Sequence, residues 1–291
     1  MAKPESEAAK PPKSSNSSKP DLAAIIGIVV AGGGLIGGLM MEGGKISDIM
    51  QISSGLIVLC GTIGAVMITT PLGILMRALK RFGTVFFSKA EATDETIEKI
   101  IEYATEARKN GIVSLEQRTA EIDDPFLKKA LGLAVDGIDT DKLRDIMELE
   151  IQLMETRSEQ ESKVFEAAGG YAPTIGILGA VMGLIQVMKN LANIDEVGRG
   201  IAVAFVATLY GVGSANLIFL PAANKLKARA HELVELRELM LEGVLSIAEG
   251  LNQKLIRIKL EAYSLAKAAP AKSAKASKVK GGAAEPVSAE G

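Results

Sequence analysis

The chain has 291 residues, of which 48 % are apolar and 23 % charged, with 33 basic against 35 acidic side chains. So large an apolar fraction coexists with that much charge only if the two are segregated along the chain, which excludes an ordinary soluble domain. One cysteine, Cys60, excludes a disulfide framework, and the formal net charge of -2 gives no reason to expect a nucleic-acid partner.

Residues 1–20 are rich in Lys, Ser and Pro and read as a disordered extension. The apolar run behind them, Leu22–Met41, is long and ends "GLMMEGG" without an A-x-A cleavage pattern, so it reads as a retained span. A short turn, "EGGKISD", leads to a second apolar run over about Ile49–Met76. Arg77, Lys80 and Arg81 follow at once and predict that the segment 77–166 is cytoplasmic. In that segment Ile97, Ile100, Ile101 and Ala104 repeat at helical spacing after a capping Thr93 or Asp94, and Gly111 ends the helix. Ser114 and Gln117 have the spacing of a capping box, Asp124-Pro125 opens a further helix, and Gly137 closes it. From Thr140 no breaker occurs before Gly169, so one helix is expected to run into a third span, Ala167–Met188. Extended to 188, that helix is roughly 70 Å long. The turn "KNLANIDEVGR" leads to a fourth span, Ile201–Ala223, which Lys225, Lys227 and Arg229 follow. The predicted fold is therefore an all-α integral membrane protein with four transmembrane helices and both termini cytoplasmic. Its helical cytoplasmic domain is built from the 77–166 loop and a C-terminal helix over 224–263, whose apolar face is expected to pack against the long helix; a disordered tail covers 264–291.

The spans are rich in small residues. Gly200, Ala204, Thr208, Gly211 and Ala215 form one stripe in span four, and Gly179 and Gly183 another in span three. Gly33 with Gly37 and Gly34 with Gly38 repeat the spacing in span one. Such stripes let helix backbones approach closely, the ordinary means of packing in lipid. Pro173 and Pro221 each remove a backbone donor and bend their helices. Thr174 and Thr208 are the polar outliers; either their hydroxyls bond back to their own helices or they face a hydrated path. No ionisable side chain lies well inside a span, so if the protein works on an ion gradient another chain supplies the ion-binding group. His231 reads as a solvated side chain on a helix face. Phosphate-binding, metal-ligand and nucleophile–base patterns are absent from the sequence, so no enzyme activity and no cofactor are expected.

The stretches "GGYAPTIGILGAVMGLI", "GIAVAFVATLYGVGSANLIFLPAANKLK", "ARKNGIVSLE" and "DPFLKKALGLAVDGID", in this order and with these four spans, resemble the MotA/PomA family of flagellar motor stator proteins. The ExbB and TolQ proteins are more distant relatives of that family. The resemblance runs from about Asp21 to Ser264; the extension, the Ala/Lys-rich tail and Asn252-Gln253 depart from the pattern, the family tending to Asn-Pro at that last position. It implies a ring of five copies in the bacterial inner membrane around a dimer of a MotB-like single-span protein, whose transmembrane Asp binds the coupling ion. It further implies that Pro173 and Pro221 are tied to torque, that Thr174, Thr208 and Tyr210 line the ring's inner wall, and that Arg108, Lys109 and Glu116 engage a FliG-like rotor protein. On this reading the small-residue stripes are a bearing surface that slides past the partner.

Three other readings compete. An ExbB/TolQ-like stator would energise outer-membrane processes, but that family places its long cytoplasmic segment after the first of three spans, not after two. A secondary transporter would carry inverted repeats or intramembrane charge, and a passive scaffold leaves the prolines, threonines and charged loop unused. The coupling ion is expected to be H+ in preference to Na+, since a proton needs only the partner's carboxylate and water; Na+ would recruit Thr174, Thr208 and backbone oxygens.

Overall fold

The computed structural model describes residues 19–88 and 93–268, so the extension over 1–18 and the tail over 269–291 lie outside the described residues. Eleven α-helices are present among them: α1 (Leu22–Met41), α2 (Ile46–Ile49), α3 (Ile52–Thr69), α4 (Leu72–Phe82), α5 (Thr93–Asn110), α6 (Glu116–Glu121), α7 (Pro125–Val135), α8 (Thr140–Lys189), α9 (Ile194–Ser214), α10 (Leu220–Ala248) and α11 (Gln253–Ala268). The extended residues are two short pieces, β1 (Lys19–Pro20) and β2 (Phe87–Ser88), paired antiparallel. Four helical stretches are long and apolar enough to cross a membrane: α1, α3, α8 and the run Ile194–Ala248. The chain divides into two compact units, Met1–Glu91 with Met154–His231, and Ala92–Leu153 with Glu232–Gly291. These boundaries cut α8 and α10, whereas the sequence placed the divisions at 76, 166 and 223.

In the first unit the second span stops earlier than expected. Thr70 is extended (φ -126°, ψ 129°) because it precedes Pro71, whose ring disfavours helix at the residue before it. Pro71 then starts the separate helix α4, so the span ends at Thr69 and not at Met76. Helix α4 buries Ala78 and packs Ile74, Leu75 and Phe82 against Val164, Phe165 and Ala168 of α8 and Ala222, Ala223 and Leu226 of α10. The rings of Phe82 and Phe165 stack at 5.4 Å. The polar side of the same contact is an ion cluster. Glu161 of α8 is paired with Nε of Arg77 (3.4 Å) and Nε of Arg81 (3.1 Å), and Arg81 also donates to Ser158 Oγ at 2.9 Å.

Helix α1 is anchored at its start by one aspartate acting twice. Asp21 Oδ1 accepts the Ala24 N–H and caps the helix, while Oδ2 takes Lys225 and Arg229 of α10. Lys225 beside it, with the cap bond, holds the Asp21 carboxyl at about 2, below its usual 3.8. The carboxylate's contribution to stability is therefore complete at neutral pH, declines as pH falls below about 4, and is gone near 2. Asp21→Asn, which keeps a capping oxygen but cannot ionise, is expected to flatten that part of the profile; thermal melts of the two proteins between pH 5 and 2 check it.

The second unit buries Ile97, Ile100 and Ala104 of α5 with Phe126, Leu127, Ala130 and Leu131 of α7, Leu143 and Met147 of α8, and Leu239, Val244 and Leu245 of α10. Asp124 caps α7 with Pro125 in its first position, as the sequence indicated. Arg237 pairs with Asp124 and lies over the Phe126 ring, 5.0 Å from its centroid. The expected single C-terminal helix over 224–263 is instead two. Gly250 takes a left-handed φ of +70°, which stops α10, and Asn252 Oδ1 accepts the Lys254 N–H to start α11. Helix α11 continues to Ala268, past the expected start of the tail. Ser114 does not cap: its hydroxyl donates to Gly111 O at 2.7 Å within a 3-10 turn over Ile112–Leu115.

Candidate functional site

Helices α8 and α9 meet backbone to backbone. The turn between them is shorter than expected, because Asn193 Oδ1 accepts the Asp195 N–H and starts α9 at Ile194. A Cβ added to Gly183 would lie 2.7 Å from Gly200 O and 2.8 Å from Ala204 N. One added to Gly176 would lie 2.9 Å from Ala207 O, and one added to Gly211 2.5 Å from Ala172 O. One added to Gly179 would lie 2.8 Å from the Ala207 methyl and 3.2 Å from Ile57 of α3. Helix packing is thus where the structure puts Gly179, Gly183, Gly200, Ala204 and Gly211, with Gly176 and Ala207 as members the sequence reading missed. The glycines of the two stripes are thus spent on each other inside one chain, whereas Thr208 of the same span-four stripe is only half-buried. Span one differs. Among the described residues, Gly33, Gly34, Gly37 and Gly38 have nothing within 4 Å of an added Cβ.

The threonines take the self-bonded option. Thr174 Oγ1 donates to Tyr171 O at 2.8 Å and Thr208 Oγ1 to Ala204 O at 3.2 Å. Thr174 is exposed and Thr208 half-buried at the edge of the α8–α9 contact. Tyr210 leaves α9 about 200° from Thr208, two residues further along the helix. Its phenol donates to Ile49 O at 2.6 Å and accepts the Gln51 N–H at 3.3 Å, joining α9 to the start of α3. Ser54 reinforces that joint by donating to Val203 O. The structure therefore brings Thr208 and Tyr210 to opposite sides of α9.

The two prolines act differently on their helices. α8 is continuous through Pro173. Ahead of Pro221 the helix widens into a π turn over Ala215–Phe219, in which the Leu220 N–H reaches back to Ala215 O. Pro221 has no N–H, and its ring would collide with the Leu217 carbonyl in a regular α-helix; widening the turn relieves that collision. Buried Ala215, read as a packing residue, opens this turn.

In the second unit Arg108 and Lys109 end α5, and Glu116 begins α6; all three are exposed. Gly111, at φ +83°, reverses the chain between them, and Leu115, fully buried, pins the turn. Arg118, which the sequence reading passed over, ties α6 back to Glu102 and Glu106 of α5 at 3.1 Å each. Arg108 also borders a cavity of about 190 Å³ with Ala104, Ile112, Ile247 and Leu251.

Residues 118–239 match the MotA/TolQ/ExbB proton channel family, and residues 25–111 match the motility protein A N-terminal family. The chain is 40 % identical over 248 residues to motility protein A of Bacillus subtilis (strain 168), covering 85 % of this chain and 92 % of that one. The chain belongs to the MotA/TolQ/ExbB proton channel family. Solved members of this family have the same fold. The C. jejuni MotAB structure matches with a TM-score of 0.80 at 34 % identity, over 84 % of this chain and 95 % of that one. The flagellar MotAB stator complex from Bacillus subtilis matches with a TM-score of 0.78 at 40 % identity, over 84 % and 96 %. Within the family these matches fall on the motility protein A side, in agreement with the stretches that carried the resemblance.

Proposed function

We propose that this chain is a flagellar motor stator subunit of the bacterial inner membrane. With a MotB-like single-span partner it couples ion flow to torque on a FliG-like rotor protein. The observation that carries the proposal is the agreement of the whole described fold with MotAB stator structures, over 95 % of the C. jejuni chain. In this reading five copies surround a dimer of the partner, both termini are cytoplasmic, and the partner supplies the ion-binding carboxylate. One charge moved through 100 mV releases about 2.3 kcal/mol. Neutralising the carboxylate changes its preference among wall positions near Thr174 and Thr208, and the α8–α9 pair shifts as one body because its backbones are in contact. Tyr210 holds that pair to α3. Arg108, Lys109 and Glu116 then push on rotor charges. The proton is the proposed ion, since it needs only the partner's carboxylate and water. The chain's own chemistry is positioning and not covalent catalysis.

Cells that carry this chain with its natural partner should swim equally well when sodium is replaced by potassium. Swimming that requires sodium would overturn the proton assignment; no swimming in either medium, with the complex stably made, would overturn the stator reading. Pro173→Ala, in the same cells, is expected to abolish swimming while the complex still purifies intact. Loss of the complex would make Pro173 purely structural.

A further inference from the structure

The cavity of about 190 Å³ beside Arg108 lies wholly within the second unit, where the end of α5 and the turn after it meet the end of α10. Two of the residues that line it, Ala104 and Ile247, are buried. Ala107, Ile112, Ala248 and Leu251 are half-buried, and Arg108 is exposed, so the cavity has an apolar floor and opens to solvent. Gly111 at φ +83° turns the chain back after α5 and brings Ile112 to the cavity, and Gly250 at φ +70° does the same for Leu251 after α10. Four half-buried apolar side chains around an unfilled space are the receiving half of a knob-into-hole contact, in which one apolar side chain of a facing helix inserts. The charges about the mouth select the helix. Arg108 is the charged residue that borders the cavity, and among the described residues neither it nor Lys109 has an ion-pair partner, whereas Arg118 is answered by Glu102 and Glu106. Arg108 lies in the last turn of α5, where the helix dipole favours a cation without cancelling its charge. On the α10 side Glu249, between the lining residues Ala248 and Gly250, is exposed and also without an ion-pair partner among the described residues. Val113, in the turn after α5, adds an aliphatic side chain that is 64 % exposed. From this arrangement we infer that the cavity is a socket for one aliphatic side chain of a helix on the rotor protein, a carboxylate of that helix meeting Arg108 and a cation meeting Glu249. The inference rests on the rotor reading of Arg108 and extends it: charge steers the encounter, and burial of one side chain in the socket holds it. A single anchored side chain gives a contact that releases quickly, as a passing rotor requires.

The test uses cells that make the full chain with its partner and the rotor protein, with the substitution Leu251→photo-leucine, a diazirine analogue of similar size, at the cavity wall. Illumination should join this chain to the rotor protein, identified by mass spectrometry of the adduct. Ala107→Leu and Ala248→Leu fill the socket from α5 and from α10, and each should reduce that capture about tenfold or more while the complex with the partner purifies and melts as before. Should one of them fail to assemble, the other carries the test from the opposite wall. Arg108→Gln removes the steering charge, leaves the socket open, and should reduce capture about fivefold. Capture of a second copy of this chain in place of the rotor protein, no adduct at all, or capture unchanged by the leucine variants would overturn the inference; with swimming intact, the stator reading would survive it. Capture that follows the expected pattern in cells that do not swim would leave the socket standing and count against the torque reading alone.

Discussion

Gly211→Ala is expected to stop swimming and to lower the melting temperature of the purified stator complex. The added methyl would meet Ala172 O at 2.5 Å and the Gly176 Cα at 2.9 Å, both backbone atoms that cannot rotate away. Relief requires α8 and α9 to separate by several tenths of an ångström along their whole contact, at a cost of about 1–3 kcal/mol or more. Gly213→Ala, two residues away, is the control. Nothing lies within 4 Å of its added Cβ, so it should gain helix propensity and keep function. Equal behaviour of the two variants in swimming and thermal melts would mean that the α8–α9 contact does not govern the motor.

Glu161→Ala should produce the second large effect. Its side chain is only 8 % exposed and answers both Arg77 and Arg81, whose guanidinium groups are about half exposed. Removing it takes the shared carboxylate away from two cations one turn apart on the same face of α4. Because water reaches both arginines, the expected cost is about 1.5–3 kcal/mol, below that of a fully buried pair. Glu161→Gln keeps the hydrogen-bond acceptor and should lose roughly half as much. Thermal melts of the three proteins decide the matter, and a melt of Glu161→Ala unchanged from the parent would show that apolar packing alone holds α4.

Much of this architecture could be read from the residues, and the exceptions have local causes. Gly111 and Gly137 signal their turns because glycine admits the left-handed backbone used there, and the Asp124-Pro125 pair because a capping carboxylate and a fixed φ start a helix. Pro71 was hidden inside a long apolar run: the residues after it remain apolar, so hydropathy continued where the helix did not. Gly250 was overlooked for the opposite reason, since an apolar periodicity on both sides suggested one helix. On α9 the small residues at 200, 204, 211 and 215 admit either Ala207 or Thr208 as the intervening member. That choice belongs to the partner helix, whose Gly176 and Gly179 meet Ala207. The widened turn before Pro221 was equally out of reach, because a proline specifies a disturbance and its surroundings select the form. Of the residues proposed to meet a rotor protein, Arg108, Lys109 and Glu116 stand out only through the family resemblance, while Arg118, which ties their turn to Glu102 and Glu106, needs three-dimensional contacts to be seen.

Helix α1 spans about 30 Å, close to the thickness of a bilayer's hydrocarbon core, and is fastened at its start by Asp21, while none of its residues is buried among the described residues. A helix held in this way answers hydrophobic mismatch by changing tilt. When the bilayer thins or thickens, α1 leans, and the glycine-locked pair of α8 and α9 keeps its geometry. On the stator reading proposed above, a change in bilayer thickness is taken up by α1 and not by the α8–α9 contact.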